Sequence, residues 1–408
     1  MRIEHDLLAD LTAYAKFGAR KDNGSYLLDF PTITNLSGAT TSTPLRWLAF
    51  YENLSAEAGF RGNFETGFLK HEAVLSGTWL SISSGSSITA LPAAASNIYA
   101  PFSVRAPNIS SLSTTVPMTA RTVLSSIGAI DAISAWDERV QLIGGVRVQH
   151  VQTSNWNGTT GLQTTGYDQS AVTPSVSLVV RPWKELSLYG NFIQALEQGP
   201  TAGAGTINAG TTFAPFVSTQ YEVGAKLDLG SFGATLAAFE ITRPSGFTDP
   251  ATATFSVDGK QRNRGIEFTM FGEPIKGLRP IGGFTVLDAK LISTLNGINN
   301  GKYAPGAANF MANLGLDWDT PWVKGLTVGG RMIYTGQAYI DPANNFGVPP
   351  WTRFDVSAKY VFERADDKPI AIRGQILNVG NNNFWLATNG YLDQGQARTF
   401  MLSLTADF

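Results

Sequence analysis

The sequence predicts an all-β chain folded as a transmembrane antiparallel β-barrel, and three observations lead to this fold class. The 42 glycines and the many Thr, Ser and Asn residues favour strands and turns, and only 15% of the 408 residues are charged. Many segments alternate apolar and polar residues with a period of two. Short turns alternate along the chain with long polar segments, as in barrels that span a membrane.

The strands are defined by the period-two alternation. In "YEVGAKLDL" the apolar Tyr221 and Val223 oppose the polar Glu222 and Lys226, and "WTRFDVSAKYVF" and "RTFMLSLTADF" follow the same pattern. Counting such segments between turns gives about seventeen strands. They cover approximately residues 2–7, 11–22, 46–64, 67–81, 119–134, 140–155, 170–181, 186–196, 217–229, 232–244, 258–272, 278–293, 307–318, 326–337, 350–361, 370–379 and 396–408.

The connections differ in length between the two ends of the predicted strands. Short turns are expected at "ETG", "WDER", "PWKE", "DLGS" and "DTPWVKG", and long loops at 155–170 and 196–218. The stretch "PTITNLSGATTSTP" is predicted to be a hairpin inside a long loop. Tryptophans beside the short turns predict an aromatic girdle at one membrane interface: Trp136, Trp183, Trp318 and Trp322.

Composition excludes several classes of protein. A formal net charge of -2 argues against a nucleic-acid surface, which needs a basic patch, and no stretch of the sequence resembles one. The absence of cysteine excludes disulfides and thiolate metal sites. The uncharged stretch 73–104 is interrupted by Gly85, Pro92 and Pro101, so no helix is expected to span a bilayer. The first residues, "MRIEHDLLAD", carry charges where a signal peptide has its apolar core, so no signal peptide is expected.

No enzymatic, cofactor or metal site is expected. The chain has three histidines, His5, His71 and His150, and the sequence alone assembles no Ser/His/Asp set around them. His71 lies on a predicted strand, where a structural role is favoured over ligation. No phosphate-binding glycine motif or zinc-binding helix motif is present.

The odd strand count has a topological consequence. If the last strand runs toward the turn side, the first one does too, and the two would meet in parallel, whereas bacterial barrels close with even, antiparallel numbers. The count therefore predicts that these residues are part of a larger barrel.

Four segments resemble the TonB-dependent siderophore receptors of the ferrichrome and hydroxamate type. "GQAYIDPANNFGVPPWTRFDVSAKY" is similar to the late-barrel signature of that family, and "STQYEVGAKLDL" and "RNRGIEFTMFGEP" are similar to two of its strands. The ending "ILNVGNNNFW" followed by "GQARTFMLSL" resembles its final loop and strand, except that Ala397 stands where the family usually has proline. Together these segments extend the resemblance over most of residues 130–408.

The resemblance implies a particular architecture and function. The family has a barrel of 22 strands and an N-terminal plug that TonB pulls, so residues 1–408 are expected to be the C-terminal portion of the barrel, about 17 of 22 strands without the plug. The implied function is TonB-dependent uptake of ferric siderophores across the outer membrane of a Gram-negative bacterium, with this chain alone unable to transport. The implied partners are the ferric siderophore, outer-membrane lipid and the barrel assembly machinery, with TonB only in a full-length parent. Iron enters only within its siderophore ligand, and no cofactor is implied.

The resemblance also directs attention to three groups of residues. Outer-loop aromatic side chains are candidates for ligand contact through flat apolar area, with Trp385 and Tyr391 first, followed by Tyr339, Phe346, Trp156, Tyr167, Phe213 and Phe216. Charges on the inward strand face are expected to meet a plug in the full-length parent and to be solvated here: Arg147, Glu222, Lys226, Glu267, Arg331, Asp355 and Arg373. The last strand is expected to be the assembly signal, through Phe400, Leu402, Leu404 and the terminal Phe408.

Two other functions stay open on sequence grounds. A self-contained passive porin would share the alternation, but it needs an even barrel and an export signal. An outer-membrane hydrolase barrel would place polar catalytic groups on its strands, and detectable lipid or peptide hydrolysis would favour it.

Overall fold

The computed structural model describes residues 1–408 except 30, 102–104, 198, 201, 203–205, 209–210, 212, 214, 250, 364–367, 389–390 and 407–408. The regular structure of these residues is β-strand apart from one short 3-10 helix, Leu295–Gly297. A single sheet contains 17 strands. They are β1 (Arg2–Leu8), β2 (Leu11–Leu28), β3 (Leu45–Thr66), β4 (Leu69–Ala90), β5 (Met118–Ala135), β6 (Val140–Trp156), β7 (Gln163–Trp183), β8 (Leu186–Glu197), β9 (Phe216–Asp228), β10 (Phe232–Asp249), β11 (Thr254–Gly272), β12 (Leu278–Ser293), β13 (Phe310–Asp319), β14 (Leu326–Thr335), β15 (Trp351–Phe362), β16 (Ile370–Leu377) and β17 (Thr399–Ala406).

The sheet is an uninterrupted antiparallel meander. Each strand from β1 to β17 pairs with the next one along the chain. Within the described residues, β1 pairs only with β2 and β17 only with β16. The predicted all-β fold and the predicted number of strands are confirmed.

The two faces of the sheet differ as the alternation predicts. In β15, Phe354 and Val356 are 52% and 44% exposed on one face, and Asp355 lies on the other. Directly opposed residues of neighbouring strands share a face, so the difference extends across the sheet. We call the face of Phe354 and Val356 the apolar face and the face of Asp355 the polar face. The polar face also carries Glu222 and Arg331.

The two ends of the sheet differ in their connections. At one end, which we call the turn end, strands are joined by short turns such as 67–68 and 184–185. At the other, the loop end, several connections are long, including 294–309, 336–350 and 378–398. The four predicted girdle tryptophans all lie at the turn end with exposed side chains: Trp136 at 66%, Trp183 at 59%, Trp318 at 36% and Trp322 at 70%. This arrangement matches the predicted aromatic girdle.

Several strands reach further toward the loop end than the sequence predicted. Gln163 already pairs with Trp156, so the predicted long loop over 155–170 is wrong and the connection is the shorter 157–162. Polar residues in this region pair as strands because the hydrogen bonds between strands need only backbone groups. The sequence there lacks the apolar alternation by which strands were recognised, so this pairing was not predicted. No helix within the described part of the chain is long and apolar enough to cross a membrane.

Short strands decorate the loop end. Thr32–Ile33 pairs with Ala39–Ser42, which in turn pairs with Ala94–Asn97. The predicted hairpin inside "PTITNLSGATTSTP" is therefore confirmed, and a third strand joins it. Two further short hairpins form within the loops 336–350 and 378–398.

Candidate ligand-binding site

Two loops at the loop end form one continuous surface, which we call the loop platform. The first loop is 336–350, where Ala338–Tyr339 pairs with Gly347–Val348. The second is 378–398, where Trp385–Thr388 pairs with Tyr391–Gln394. The strand Gly347–Val348 contacts the strand Trp385–Thr388, so the two hairpins lie side by side.

A buried carboxylate anchors the platform to the sheet. Asp355 is 6% exposed, and Arg353 donates to it from Nε at 2.9 Å and from Nη2 at 2.8 Å. The backbone N–H of Asn378 donates to the same carboxylate at 2.8 Å. Such a bidentate, charge-assisted pair compensates for the loss of solvation. Asp355 was expected to be a solvated inward charge, and that expectation is wrong because the carboxylate is enclosed by the loop it holds.

Asn378 closes the second loop at its base. Its side chain is fully buried, and Nδ2 donates to the carbonyls of Asn382 and Gln396, each at 2.9 Å. Its Oδ1 accepts from the N–H of Asn382 at 3.0 Å. The backbone has φ 53°, a left-handed conformation that asparagine tolerates better than most residues. Both ends of the 378–398 loop are therefore tied to one side chain.

A second carboxylate shapes the first loop. Asp341 accepts from the N–H of Phe346 at 2.8 Å and from the N–H of Asn345 at 3.0 Å. Desolvation raises the pKa of Asp341, but the backbone N–H donors led by Phe346 outweigh it and hold the pKa below its ordinary value. Asn344 exchanges hydrogen bonds with the backbone of Tyr303, at 2.7 and 2.9 Å, and so joins this loop to 294–309.

Two of the predicted ligand-contact aromatics project from this braced surface. Phe346 is 65% exposed and Trp385 is 51% exposed. Beneath them, Trp351 stacks on the buried Phe384 with ring centroids 4.1 Å apart. The backbone of Tyr391 pairs with Thr388, while its side chain lies outside the described residues. The platform therefore presents flat apolar area on a base held by hydrogen bonds and ring stacking.

Tyr339 is engaged within the loops. Its ring stacks on Tyr303 with centroids 6.0 Å apart and planes 11° from parallel. Lys290 lies over the Tyr303 ring, 5.6 Å from Nζ to the centroid, and pairs with Asp288 at 3.1 Å. Lys290 shares its strand face with Val286, so this aromatic pair lies toward the apolar side of the sheet. The Tyr339 side chain therefore packs against the 294–309 loop.

The other predicted aromatics are distributed over separate strands. Trp156 ends β6 and is half-buried, and Tyr167 lies inside β7 at 7% exposure. Phe216 begins β9 at 8% exposure, and Phe213 packs edge-on against Phe255 with centroids 5.5 Å apart. The structure does not bring these side chains to the loop platform's hairpins.

The predicted inward charges lie on the polar face and are mostly hydrogen-bonded there. Tyr189 donates to Glu222 at 2.7 Å, Gln220 donates to the same carboxylate at 2.8 Å, and Lys226 lies 5.2 Å from the Tyr189 ring centroid. Cross-strand neighbours of this kind fix one another's rotamers. The sequence had placed Glu222 and Lys226 on this face but had not predicted Tyr189 between them.

Four more inward charges follow the same face. Arg147 donates to Ser126 at 2.7 Å and Arg331 donates to Asn313 at 2.7 Å. Arg331 also lies directly opposite Asp355 in the register. Glu267 and Arg373 are exposed on the same face. The polar face of the sheet therefore carries charged side chains from β6 to β16.

The last strand keeps its predicted pattern. Phe400, Leu402 and Leu404 are 72%, 79% and 68% exposed on one face of β17. Phe408 lies outside the described residues.

Sequence reasoning missed one polar cluster at the turn end. Thr66 Oγ1 is 2.7 Å from His71 Nε2, and His71 Nδ1 is 2.8 Å from Asp131 Oδ2. The sequence alone assembled no Ser/His/Asp set, and the structure brings a threonine, a histidine and an aspartate together. Asp131 lies far from His71 in sequence, and only the pairing of β4 with β5 brings them together. The described residues contain no group of His, Cys, Asp and Glu that could hold a metal ion.

The fold and its faces define a class of protein, a transmembrane β-barrel with short turns at one end and structured loops at the other. Comparison with known families agrees with this class. The family model described as TonB dependent receptor-like, beta-barrel, matches residues 2–383. The chain belongs to this family of TonB-dependent receptor barrels.

Individual relatives extend the comparison. The ferrichrome receptor FcuA of Yersinia enterocolitica is 34% identical over the whole of this chain, which spans 55% of that protein. The ferrichrome outer membrane transporter/phage receptor of Escherichia coli is 33% identical over 38% of this chain and 21% of its own length. The crystal structure of BauA, the ferric preacinetobactin receptor of Acinetobacter baumannii, superposes with a TM-score of 0.87 at 36% identity, covering all of this chain and 62% of that one. The chain therefore spans a little over half the length of FcuA and of BauA.

Proposed function

We propose that residues 1–408 form the ligand-binding barrel portion of an outer-membrane receptor that takes up ferric siderophores. The carrying observation is the loop platform, where Phe346 and Trp385 are exposed on loops braced by Asp341, Asp355 and Asn378. Membership of the TonB-dependent receptor barrels supports the same conclusion, as does similarity to the ferrichrome receptor FcuA and the ferric preacinetobactin receptor BauA.

We assign ferric hydroxamates as the ligand class. The ferrichrome receptor FcuA is 34% identical over the whole of this chain, and "GQAYIDPANNFGVPPWTRFDVSAKY" contains the first loop of the platform and most of β15, which carries the anchoring Asp355. Aromatic faces suit a compact iron chelate because they contribute apolar area and bind without ordering long side chains. Iron is cargo within the chelate, and this proposal gives the protein no resident metal or other cofactor.

The polar face is proposed to contact a plug domain that couples the barrel to TonB. Its charges and hydrogen-bonding groups, including Glu222, Lys226 and Arg331, offer partners for a second polar surface. The apolar face is proposed to contact outer-membrane lipid, and β17 to be read by the barrel assembly machinery. Energised uptake is proposed to need the plug, so the barrel portion alone is not expected to sustain it.

The binding proposal is tested by titrating a full-length parent receptor, reconstituted in detergent micelles, with ferrichrome. The Trp385→Ala and Phe346→Ala variants each remove a large exposed aromatic and are expected to weaken binding by about tenfold or more, which corresponds to ~1.4 kcal/mol. The matched control is Phe68→Ala, an aromatic residue that is 72% exposed at the opposite, turn end.

The control variant should bind as the parent does. Equal affinity of all three variants and the parent would contradict a role for the loop platform. An equal loss of affinity in Trp385→Ala, Phe346→Ala and the control Phe68→Ala would indicate a general defect in the barrel. That result would also contradict a specific role for the loop platform.

A further inference from the structure

The cluster of Thr66, His71 and Asp131 lies on the apolar face at the turn end. His71 pairs directly with Phe64, and Asp131 pairs directly with Ala73, so all of these residues share one face. That face includes the exposed Phe60 and Leu75, which are directly opposed further along the same strands. The cluster therefore faces the membrane near the aromatic girdle, outside the lumen and far from the loop platform.

The three side chains are connected in the order of a nucleophile, a base and an orienting acid. Thr66 Oγ1 is 2.7 Å from Nε2 of His71, and Nδ1 of the same ring is 2.8 Å from Asp131 Oδ2. With the ring proton on Nδ1 donated to the carboxylate, Nε2 is free to accept the threonine proton. The distance from Thr66 to His71 lies within the range at which a base activates a hydroxyl, and the bond from His71 to Asp131 orients the ring.

The histidine ring is held in place on two sides. Its side chain is 11% exposed, and it stacks on Phe64 with centroids 4.6 Å apart and planes 4° from parallel. Asp131 Oδ1 is buried and accepts no hydrogen bond from the described residues, so the carboxylate is committed to His71 through its other oxygen. Thr66 itself is exposed. A fixed base beside an accessible hydroxyl is a preorganised arrangement.

A second histidine on the same face is a useful internal comparison. His150 Nδ1 is 2.9 Å from Ser170 Oγ, and Nε2 is 3.2 Å from Asp168 Oδ1. Its side chain is 40% exposed and that of Asp168 is 60% exposed. Solvent-exposed pairs of this kind are loosely held. The two sets contain the same kinds of side chain, but the His71 ring is 11% exposed and stacked on Phe64, whereas the His150 side chain is 40% exposed.

Backbone donors lie next to the hydroxyl. Thr66 pairs with Leu69 across the tight turn that contains Gly67 and Phe68. Gly67 has φ +64°, and no other atom approaches the position of its absent Cβ within 4 Å. Among the described residues, the N–H groups of Gly67 and Phe68 make no hydrogen bond. They are candidates for stabilising an oxyanion on an acyl carbon attacked by Thr66.

We propose that Thr66, His71 and Asp131 form an esterase site for the acyl esters of glycerophospholipids in the membrane leaflet at the turn end. The membrane-facing position delivers this class of substrate to the hydroxyl without a pocket in the lumen. Thr66 and His71 are the catalytic residues, and Asp131 is a positioning residue. The activity is separate from siderophore binding.

The chemistry balances with water as the only co-reactant. Thr66 Oγ1 forms a bond to the ester carbonyl carbon while its proton moves to His71 Nε2. The bond from that carbon to the glycerol oxygen then breaks, and the oxygen takes the proton from His71, so a lysophospholipid leaves. Water attacks the acyl-threonine, giving one proton to His71, which returns it to Thr66 as the fatty acid departs. The net reaction is hydrolysis of one ester.

The test measures fatty acid release from vesicles of phosphatidylethanolamine and phosphatidylglycerol that contain the folded chain. Thr66→Val and His71→Gln are expected to lower the rate at least about 100-fold, and Asp131→Asn at least tenfold, because the base and its orientation are lost. Thr66→Ser keeps the nucleophile and should retain activity. A fluorophosphonate probe should label Thr66, as read by peptide mass spectrometry.

The matched control is His150→Gln, which alters the other histidine on the same face and should leave the rate unchanged. Folding of every variant is confirmed by its heat-dependent gel mobility. If Thr66→Val fails to fold, Thr66→Ala takes its place. Release by the folded wild-type chain no faster than from protein-free vesicles would overturn the proposal. Equal rates for Thr66→Val and wild type, or equal losses in His71→Gln and His150→Gln, would also overturn it.

Discussion

Replacing Asn378 with alanine is expected to loosen the second loop of the platform selectively. The buried amide makes three hydrogen bonds, two to the carbonyls of Asn382 and Gln396 and one from the N–H of Asn382. A net contribution of about 0.5–1.5 kcal/mol for each bond gives roughly 1.5–4.5 kcal/mol for the set of three. Since ~1.4 kcal/mol corresponds to a factor of ten, opening of the loop should become about 10 to 1,600 times more frequent.

Hydrogen exchange measured by mass spectrometry on the 378–398 loop reads this opening directly. The N–H of Gly395, bonded to the Phe384 carbonyl at 2.8 Å, should exchange faster, while the N–H of Val361, bonded to Gly325 at 2.9 Å, should not change. The control variant is Asn296→Ala. Asn296 also has a left-handed backbone, with φ 51°, but is exposed and makes no side-chain hydrogen bond within the described residues.

The control separates the backbone contribution from the side-chain contribution. Alanine in a left-handed conformation costs about 1–2 kcal/mol at either position, so the difference between the two variants isolates the hydrogen bonds. Equal changes in local exchange around Asn378 and Asn296 would refute the bracing role.

Three further predictions concern the loop, the terminus and transport. The pKa of Asp341 is depressed in the folded loop, so its carboxylate stabilises the 336–350 loop above the ordinary aspartate pKa of 3.8 and loses that effect as pH falls through the lower folded pKa. Limited proteolysis of this loop should therefore increase in acid, and Asp341→Asn should remove the pH dependence. Deleting Phe408 from a full-length parent should sharply reduce outer-membrane insertion, measured by surface labelling, and normal insertion would leave the terminus an ordinary strand end. Behind an added signal peptide, these 408 residues alone should give no TonB-dependent uptake of ferric hydroxamates in a receptor-deleted strain, and saturable uptake would contradict the need for a plug.

The sheet was predictable because its information is local. Each strand carries its own period-two pattern, as in Tyr221 to Asp228, and short turns with tryptophans mark one end. The strand ends beyond the apolar band were not predictable, because polar residues such as those at 163–169 pair through backbone groups that leave no hydropathy signal.

The candidate site was predictable in part. Exposed aromatics at Phe346 and Trp385 were anticipated from loop position, whereas the supporting roles of Asn378 and Asp341 were not. Their function depends on partners brought together by tertiary contacts, as when Asp355 of β15 accepts the N–H of Asn378 after β16. The segments that resemble the family contain these residues, so the resemblance singled out this region of the chain. The sequence alone did not predict that these residues form the base of the loops.

The central claim is that one face of this sheet contacts lipid and the other contacts water, with the loop platform at one end. Spin labels along β15 in lipid bilayers test it most directly. Labels at Val356 and Ala358, which are exposed on the apolar face, should be accessible to oxygen and shielded from a water-soluble nickel reagent. Labels at Ser357 and Lys359 on the polar face should show the opposite accessibility. A uniform or reversed pattern along this strand would contradict this barrel orientation. The roles given to the loop platform, the polar face and the membrane-facing cluster all depend on that orientation.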